Sequence, residues 1–170
     1  MKKTFTLFFA LAVCCIFCLP QTIWAYEYQG PEAELIALIN KERVKNGSEP
    51  LTINWEVARL ARYKSEEMKR HGLFSHESLV YGSPAQTLER FQVPFDLVGS
   101  NIAMGHETAA AVLEAWRNSQ NHYTNIIRPD YTSAGAGLSI DDDGISYWTL
   151  LLIQSKHCPD ILREQPNQGQ

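Results

Sequence analysis

Two histidines hold most of the chemical potential of this chain. His76 closes the block Phe74-Ser75-His76, and His122 closes Trp116-Arg117-Asn118-Ser119-Gln120-Asn121-His122. Between them lies Gly99-Ser100-Asn101-Ile102-Ala103-Met104-Gly105. Imidazole titrates near neutral pH and so serves proton transfer, and its neutral form ligates zinc or copper. A lone histidine is ordinarily a hydrogen-bonded structural residue. Two that are distant in sequence become a site only if the fold joins them.

Other chemistries are less well supported. Ser75 and Ser119 each lie close to a histidine, but a serine nucleophile also needs an oriented base and an oxyanion hole. No Gly-x-Ser-x-Gly elbow occurs, and Ser119 reads better as a helix end or the cap of a turn. Asp141-Asp142-Asp143-Gly144 lacks the spaced acids and distal Glu of a calcium loop between helices. It reads instead as a solvated hairpin turn. His71 and His106 are expected at exposed element ends, and His157 belongs to the tail.

In their order along the chain, the three blocks resemble the CAP superfamily (cysteine-rich secretory proteins, antigen 5 and pathogenesis-related 1 proteins), particularly its small, cysteine-poor bacterial branch. Leu38-Ile39-Asn40-Lys41-Glu42-Arg43, Gly47 to Leu51 and Tyr147-Trp148-Thr149 resemble further family positions. The likeness runs roughly from Leu35 to Gln154. It implies an α+β fold, a three-layer α–β–α sandwich forming one CAP domain. It also implies a groove that unites His76 and His122, with Ser100, Asn101 and Trp116 as further groove residues. Phe74, Tyr123 and Tyr131 are candidate aromatic walls, since such walls characterise small-molecule sites.

One departure bears directly on the chemistry. Where the family usually reads Gly-Glu-Asn, this chain reads Gly99-Ser100-Asn101, and a second acidic position of many members falls near Ser119. A tight zinc site takes about three or four ligands, commonly His with carboxylates or thiolates. Glu114 is turned away from Trp116 by helical spacing, and Glu77 is next to His76 without geometric support. The expectation is therefore that no cofactor is required, and that zinc would bind His76 and His122 only weakly. A degenerate two-histidine groove with no assignable catalytic residue points to a binding or interaction module. The resemblance implies a small molecule, a lipid or an extracellular macromolecule as its partner. The alternative is a metal-assisted hydrolase acting on peptide or cell-envelope material, with His76 and His122 as ligands or acid–base groups. A secreted structural or adhesion protein is a third reading.

The elements that must position these residues follow from periodicity and capping. Pro31 opens a helix where its missing N–H costs nothing, with Leu35, Leu38, Ile39 and Glu42 on one stripe. Asn46-Gly47 and Pro50 end it; Asn46-Gly47-Ser48 is also a glycosylation sequon, but the helix stop accounts for the same residues. Asn54 caps a second helix to about His71, with Val57, Leu60, Ala61 and Met68 facing inward, small residues at Ala58 and Ser65, and Gly72 as its stop. Ser83-Pro84-Ala85-Gln86 is a capping box for a short helix through Phe91. Thr108 caps another, with Ala109, Val112, Leu113 and Trp116 in register. The pattern then changes period. Ser133 to Ile140 and Ile145 to Gln154 read as a hairpin joined by the Asp-rich turn. Tyr147 to Ile153 suits a strand covered on both faces, and Gly135 and Gly137 mark a close approach. Asn101 to Met104 is expected to add a short strand.

The ends and the composition set the context. Lys2 and Lys3 precede an uncharged apolar run from Thr4 to Leu19, shorter than the roughly 20 residues that span a bilayer. Residues 1–25 read as a signal peptide cleaved after Ala25, leaving no stable transmembrane anchor. Cys14 and Cys18 lack the small preceding residue of a lipoprotein signal. Residues 26–33 form a lead-in, 34–157 the domain, and 158–170 a polar tail. Of the 15 basic and 19 acidic residues, Lys2 and Lys3 leave with the signal, so 13 face 19 and the net charge is −6. That balance disfavours nucleic acid and anionic lipid surfaces as partners. Only Cys158 of the four cysteines would remain, so packing rather than an internal disulfide must hold the domain. The expected location is secreted and extracellular, or associated with the cell envelope.

Overall fold

The computed structural model describes residues 30–155. The expected signal peptide, most of the lead-in, His157, Cys158 and the tail lie outside them. A four-stranded mixed sheet forms the middle layer, in the order β1 (Thr52–Ile53), β3 (Ser133–Ile140), β4 (Ser146–Ser155) and β2 (Phe95–Met104). β1 runs parallel to β3, and the other pairings are antiparallel. Helices α1 (Pro31–Lys45), α4 (Ala109–Arg117) and α5 (Gln120–Ile127) cover one face; α2 (Trp55–His71) and α3 (Pro84–Arg90) cover the other.

β4 shows why two helical layers form. Successive side chains on a strand point to opposite faces, and β4 is apolar on both. Trp148, Leu150 and Leu152 join the core beneath α1, α4 and α5. Leu151 and Ile153 join Val57, Leu60 and Ala61 of α2 with Leu88 of α3. Every residue from Ser146 to Ile153 is buried.

The expected caps form as read. Asn54 accepts from the Glu56 and Val57 N–H groups, Gly72 ends α2 in the left-handed conformation, Ser83 and Gln86 complete a reciprocal box, and Thr108 accepts from Ala111. Gly135 and Gly137 are where α2 meets the sheet. A Cβ on Gly135 would come within 2.1 Å of the Ala58 nitrogen, and one on Gly137 within 2.3 Å of the Ala61 carbonyl carbon.

Three elements differ from expectation. β2 begins at Phe95 rather than Asn101, because pairing with β4 over nearly its whole length outweighs the low strand preference of Asp96 and Gly99. Gly99 itself is required there, since a Cβ would meet the Tyr131 hydroxyl at 2.3 Å. α5 was not expected, as Asn118-Ser119-Gln120-Asn121 has turn-like composition. Tertiary contacts stabilise it: buried Arg43 of α1 donates to the carbonyls of Ile126 and Arg128 at 2.8 Å, where a cation also complements the helix dipole. β1 is only two residues long and carries no periodic signal.

Candidate functional site

The two histidines meet over β2, the edge strand of the sheet. His76 lies in the loop after α2, and His122 in the first turn of α5. Their ring centroids are 6.2 Å apart, although forty-six positions separate them in sequence (122 − 76). The strand between them contacts both. Ser100 pairs with Leu151 and so faces the α2 layer, where its Oγ lies 3.2 Å from His76 Nδ1. Asn101 pairs with Leu150 and faces the opposite layer, where its Nδ2 donates to the His122 carbonyl at 2.9 Å. Asn125 Nδ2 donates to Asn101 Oδ1, also at 2.9 Å, so the buried amide is used at both ends.

Two of the expected groove residues therefore have a different role. Asn101 is 0% exposed and Trp116 is 1% exposed, so neither can touch a ligand. Trp116 lies beneath His122 with ring centroids 6.4 Å apart, and its Nε1 donates to the Ile102 carbonyl at 3.0 Å. This bond satisfies a carbonyl on the strand's outer edge, as Asn125 does more weakly for Ser100 at 3.5 Å. The α4–α5 side of the edge is thereby covered, which protects it from pairing with another chain. Tyr131 is also buried, and Tyr123 is committed to a hydrogen bond with Glu42. Phe74 alone of the proposed aromatic walls is an exposed large side chain.

The His76 loop rests on a feature that sequence reading missed. Lys64 and Glu67, one turn apart on α2, form a buried ion pair at 2.8 Å. Lys64 Nζ also donates to the Glu77 carbonyl at 2.6 Å, while Glu67 Oε1 accepts from Ser78 Oγ and the Leu79 N–H at 2.8 and 3.0 Å. The pair thus grips the three residues that follow His76. Two charges within a helix otherwise patterned by apolar spacing carry no such message in sequence, because helical charges at this separation are usually solvated.

Burial pushes the His76 imidazole below the ordinary histidine value, and the proximity of His122 and Lys64 pushes the same way. Burial lowers His122 as well. Among the described residues no carboxylate opposes these effects, so both rings favour the neutral state near pH 7. His122 has no hydrogen-bond partner on either ring nitrogen among the described residues, and His76 Nε2 has none either.

This donor set does not fit a tight metal site. Among the described residues no group of three His, Cys, Asp or Glu side chains converges anywhere. Glu114 pairs with Arg117, and Glu77 touches the site only through its main chain. His71 is exposed at the end of α2, as expected. His106 is half-buried, contrary to expectation, because its carbonyl accepts from Trp148 Nε1 at 2.8 Å and from Ser146 Oγ at 2.7 Å. The Asp-rich turn closes on itself: Asp141 Oδ1 accepts from the N–H groups of Asp143 and Ile145.

An α–β–α sandwich whose edge strand brings together one histidine from each helical layer defines the class of protein to which this chain is compared. Residues 36–152 match the cysteine-rich secretory protein family, CAP, and the chain belongs to that family. It is 38% identical over 118 residues to the uncharacterized protein YkwD of Bacillus subtilis (strain 168), a match covering 69% of this chain and 44% of that one. Among solved structures, it resembles an extracellular protein containing an SCP domain from Bacillus anthracis str. Ames. That match has a TM-score of 0.66 and 30% identity, covering 74% of this chain and 41% of the other. An outer surface protein of Borrelia burgdorferi shares the fold, with a TM-score of 0.68 at 22% identity, covering 73% and 92%. The chain thus spans less than half of the B. subtilis and B. anthracis proteins. Among the described residues no helix is long and apolar enough to cross a membrane.

Proposed function

We propose that this chain is an exported CAP-domain binding module, whose site is the cleft between His76 and His122. The observation that carries this reading is the pair of rings 6.2 Å apart, bordered by the Ser100 hydroxyl and, among the described residues, free of any carboxylate partner. Hydrolysis by general base catalysis needs a histidine whose basicity and orientation are set by a partner such as a carboxylate. Among the described residues His122 has none, and His76 has only a serine. Unpartnered ring nitrogens at the surface are instead free to hydrogen-bond a ligand. Export is supported by the basic-then-apolar pattern of residues 1–25, and by the extracellular or surface nature of the matched bacterial proteins.

The test is a turnover assay on the purified chain, with peptide, ester and cell-wall substrates. No cleavage is expected, and His76→Ala and His122→Ala should remain folded. Turnover that both substitutions abolish while the melting curve stays normal would replace this reading with a hydrolytic one.

A further inference from the structure

We propose that the cleft between His76 and His122 is a receptor for an oxyanion, a carboxylate or phosphate group, rather than for a cation. This inference rests on the binding-module reading above and names the chemistry of its ligand. A cation site needs lone pairs backed by negative charge, which lowers the cost of dehydrating the ion. An anion site needs N–H and O–H donors with no carboxylate close by. The cleft has the second composition.

Among the described residues, the groups that act on the two rings come from both layers. From the α2 side come His76, the Ser100 hydroxyl and the Lys64 ammonium, whose field reaches the His76 ring. Among the described residues the one buried carboxylate of α2, Glu67, is committed to Lys64, Ser78 and Leu79. From the opposite layer comes His122, in the first turn of α5. Ser119 makes no capping hydrogen bond there, so the positive end of that helix is left uncapped beside the imidazole.

The His76–Ser100 contact strengthens the case whichever group donates. If the hydroxyl donates to Nδ1, the free Nε2 carries the hydrogen and is a donor. If Nδ1 donates instead, the serine O–H is released to do so. In both arrangements this pair offers one donor and His122 a second. Rings 6.2 Å apart allow the oxygens of one oxyanion to reach both, with hydrogen bonds of about 2.8 Å. A glutamate at position 100 would place a negative charge against that oxyanion, and the serine removes it.

The experiment follows the histidine ring nitrogens by NMR in the isotope-labelled full domain. Sodium phosphate and sodium acetate are titrated separately, at one pH and at ionic strength held constant with chloride. The expected result is saturable shifts at His76 and His122, with His71 and His106 unmoved. Affinity should fall about tenfold in His122→Ala and vanish in Ser100→Glu. The two arms assign the ligand: phosphate acting alone indicates a phosphoryl group, acetate acting alone a carboxylate, and both acting a general oxyanion site. Linear shifts, shifts shared by His71 and His106, or an unchanged response in Ser100→Glu would each overturn the proposal. Absence of any response, with no turnover in the same sample, would overturn it while leaving the binding module standing. Histidine-dependent turnover would instead remove the reading on which it rests.

Discussion

Ser100 and Asn101 are neighbours on β2 that point to opposite faces of the sheet, and each holds one histidine. Ser100 touches the His76 ring, and Asn101 holds the main chain of His122. The edge strand therefore links two loops that belong to different helical layers. The separation of the imidazoles depends on that strand staying in register with β4, which pairs Ser100 with Leu151 and Asn101 with Leu150.

Asn101→Ala should loosen only the His122 side. It leaves the His122 carbonyl and the Asn125 amide without their partner in a buried place, at a cost of about 1–3 kcal/mol. Urea denaturation should report that loss. In NMR spectra of the folded variant, His122 and α5 should shift while His76 keeps its resonance. Equal movement of both histidines would mean that the two sides are not held separately.

The Lys64–Glu67 pair should show the asymmetry of a buried ion pair. Both side chains are less than one tenth exposed. Removing one partner strands the other charge, so Lys64→Met or Glu67→Gln should cost about 3–5 kcal/mol. Replacing both with methionine should cost less than the sum of the two single changes, because no lone charge remains. Loop residues Glu77 to Leu79 should lose hydrogen-exchange protection in each variant. Additive single effects in the equilibrium measurement would show that the pair is not coupled.

Much of the framework was readable because it rests on local rules. Asn54, Ser83, Thr108 and Gly72 cap helices through groups within a few residues, so their spacing alone located helix ends. Gly135 and Gly137 announced a close approach without naming α2 as the element that approaches. The site was legible only in part. His76 and His122 stood out, but the use of Asn101 and Trp116 depends on which face of β2 and α4 is buried, and that is decided by partners far away in sequence. The Lys64–Glu67 clamp and the Arg43 anchor of α5 were not legible for the same reason: most of the groups they hold are main-chain groups, which carry no residue identity.

Gly137→Ala should be far more damaging than an ordinary surface glycine change. The added Cβ meets main-chain atoms of Ala61 and Arg62, which cannot rotate away as a side chain can. α2 must then lift from β3, breaking the Ser65 bond to the Gly137 carbonyl and the packing that supports the His76 loop. Overpacking of this kind typically costs about 1–3 kcal/mol or more. Gly47→Ala has open space around it and only the strain of a positive φ, so it should cost less. Thermal melts of the two variants decide the comparison, and equal melting temperatures would contradict the close packing.

Stability should fall on acidification through the histidine range. An unfolded histidine titrates near about 6.5, and both site histidines lie below that when folded. The unfolded chain therefore binds more protons as pH drops below that value, and the native state loses stability relative to it. The loss begins at the unfolded value and levels off once the pH is under the lowered folded values; above the unfolded value these groups contribute no slope. Urea midpoints measured across this window should decline in the unmodified protein. The decline should be smaller in the His76→Gln and His122→Gln double variant. An identical slope in both would place the titrating groups elsewhere.

Ser100→Glu should change what the cleft binds. In the unmodified protein two imidazoles and a hydroxyl oppose zinc with too few charged ligands, so affinity should be weak. A carboxylate at position 100 would stand beside His76 Nδ1 and supply a third ligand whose charge offsets dehydration of the cation. Titration calorimetry should show zinc binding tightened by about tenfold or more, with protons released to the buffer as the imidazoles are held neutral. The same variant should melt higher in the presence of zinc, because a ligand that binds only the folded state stabilises it by mass action. Tight zinc binding by the unmodified protein, or no gain in the variant, would mean that ligands other than this histidine pair and position 100 determine the metal affinity.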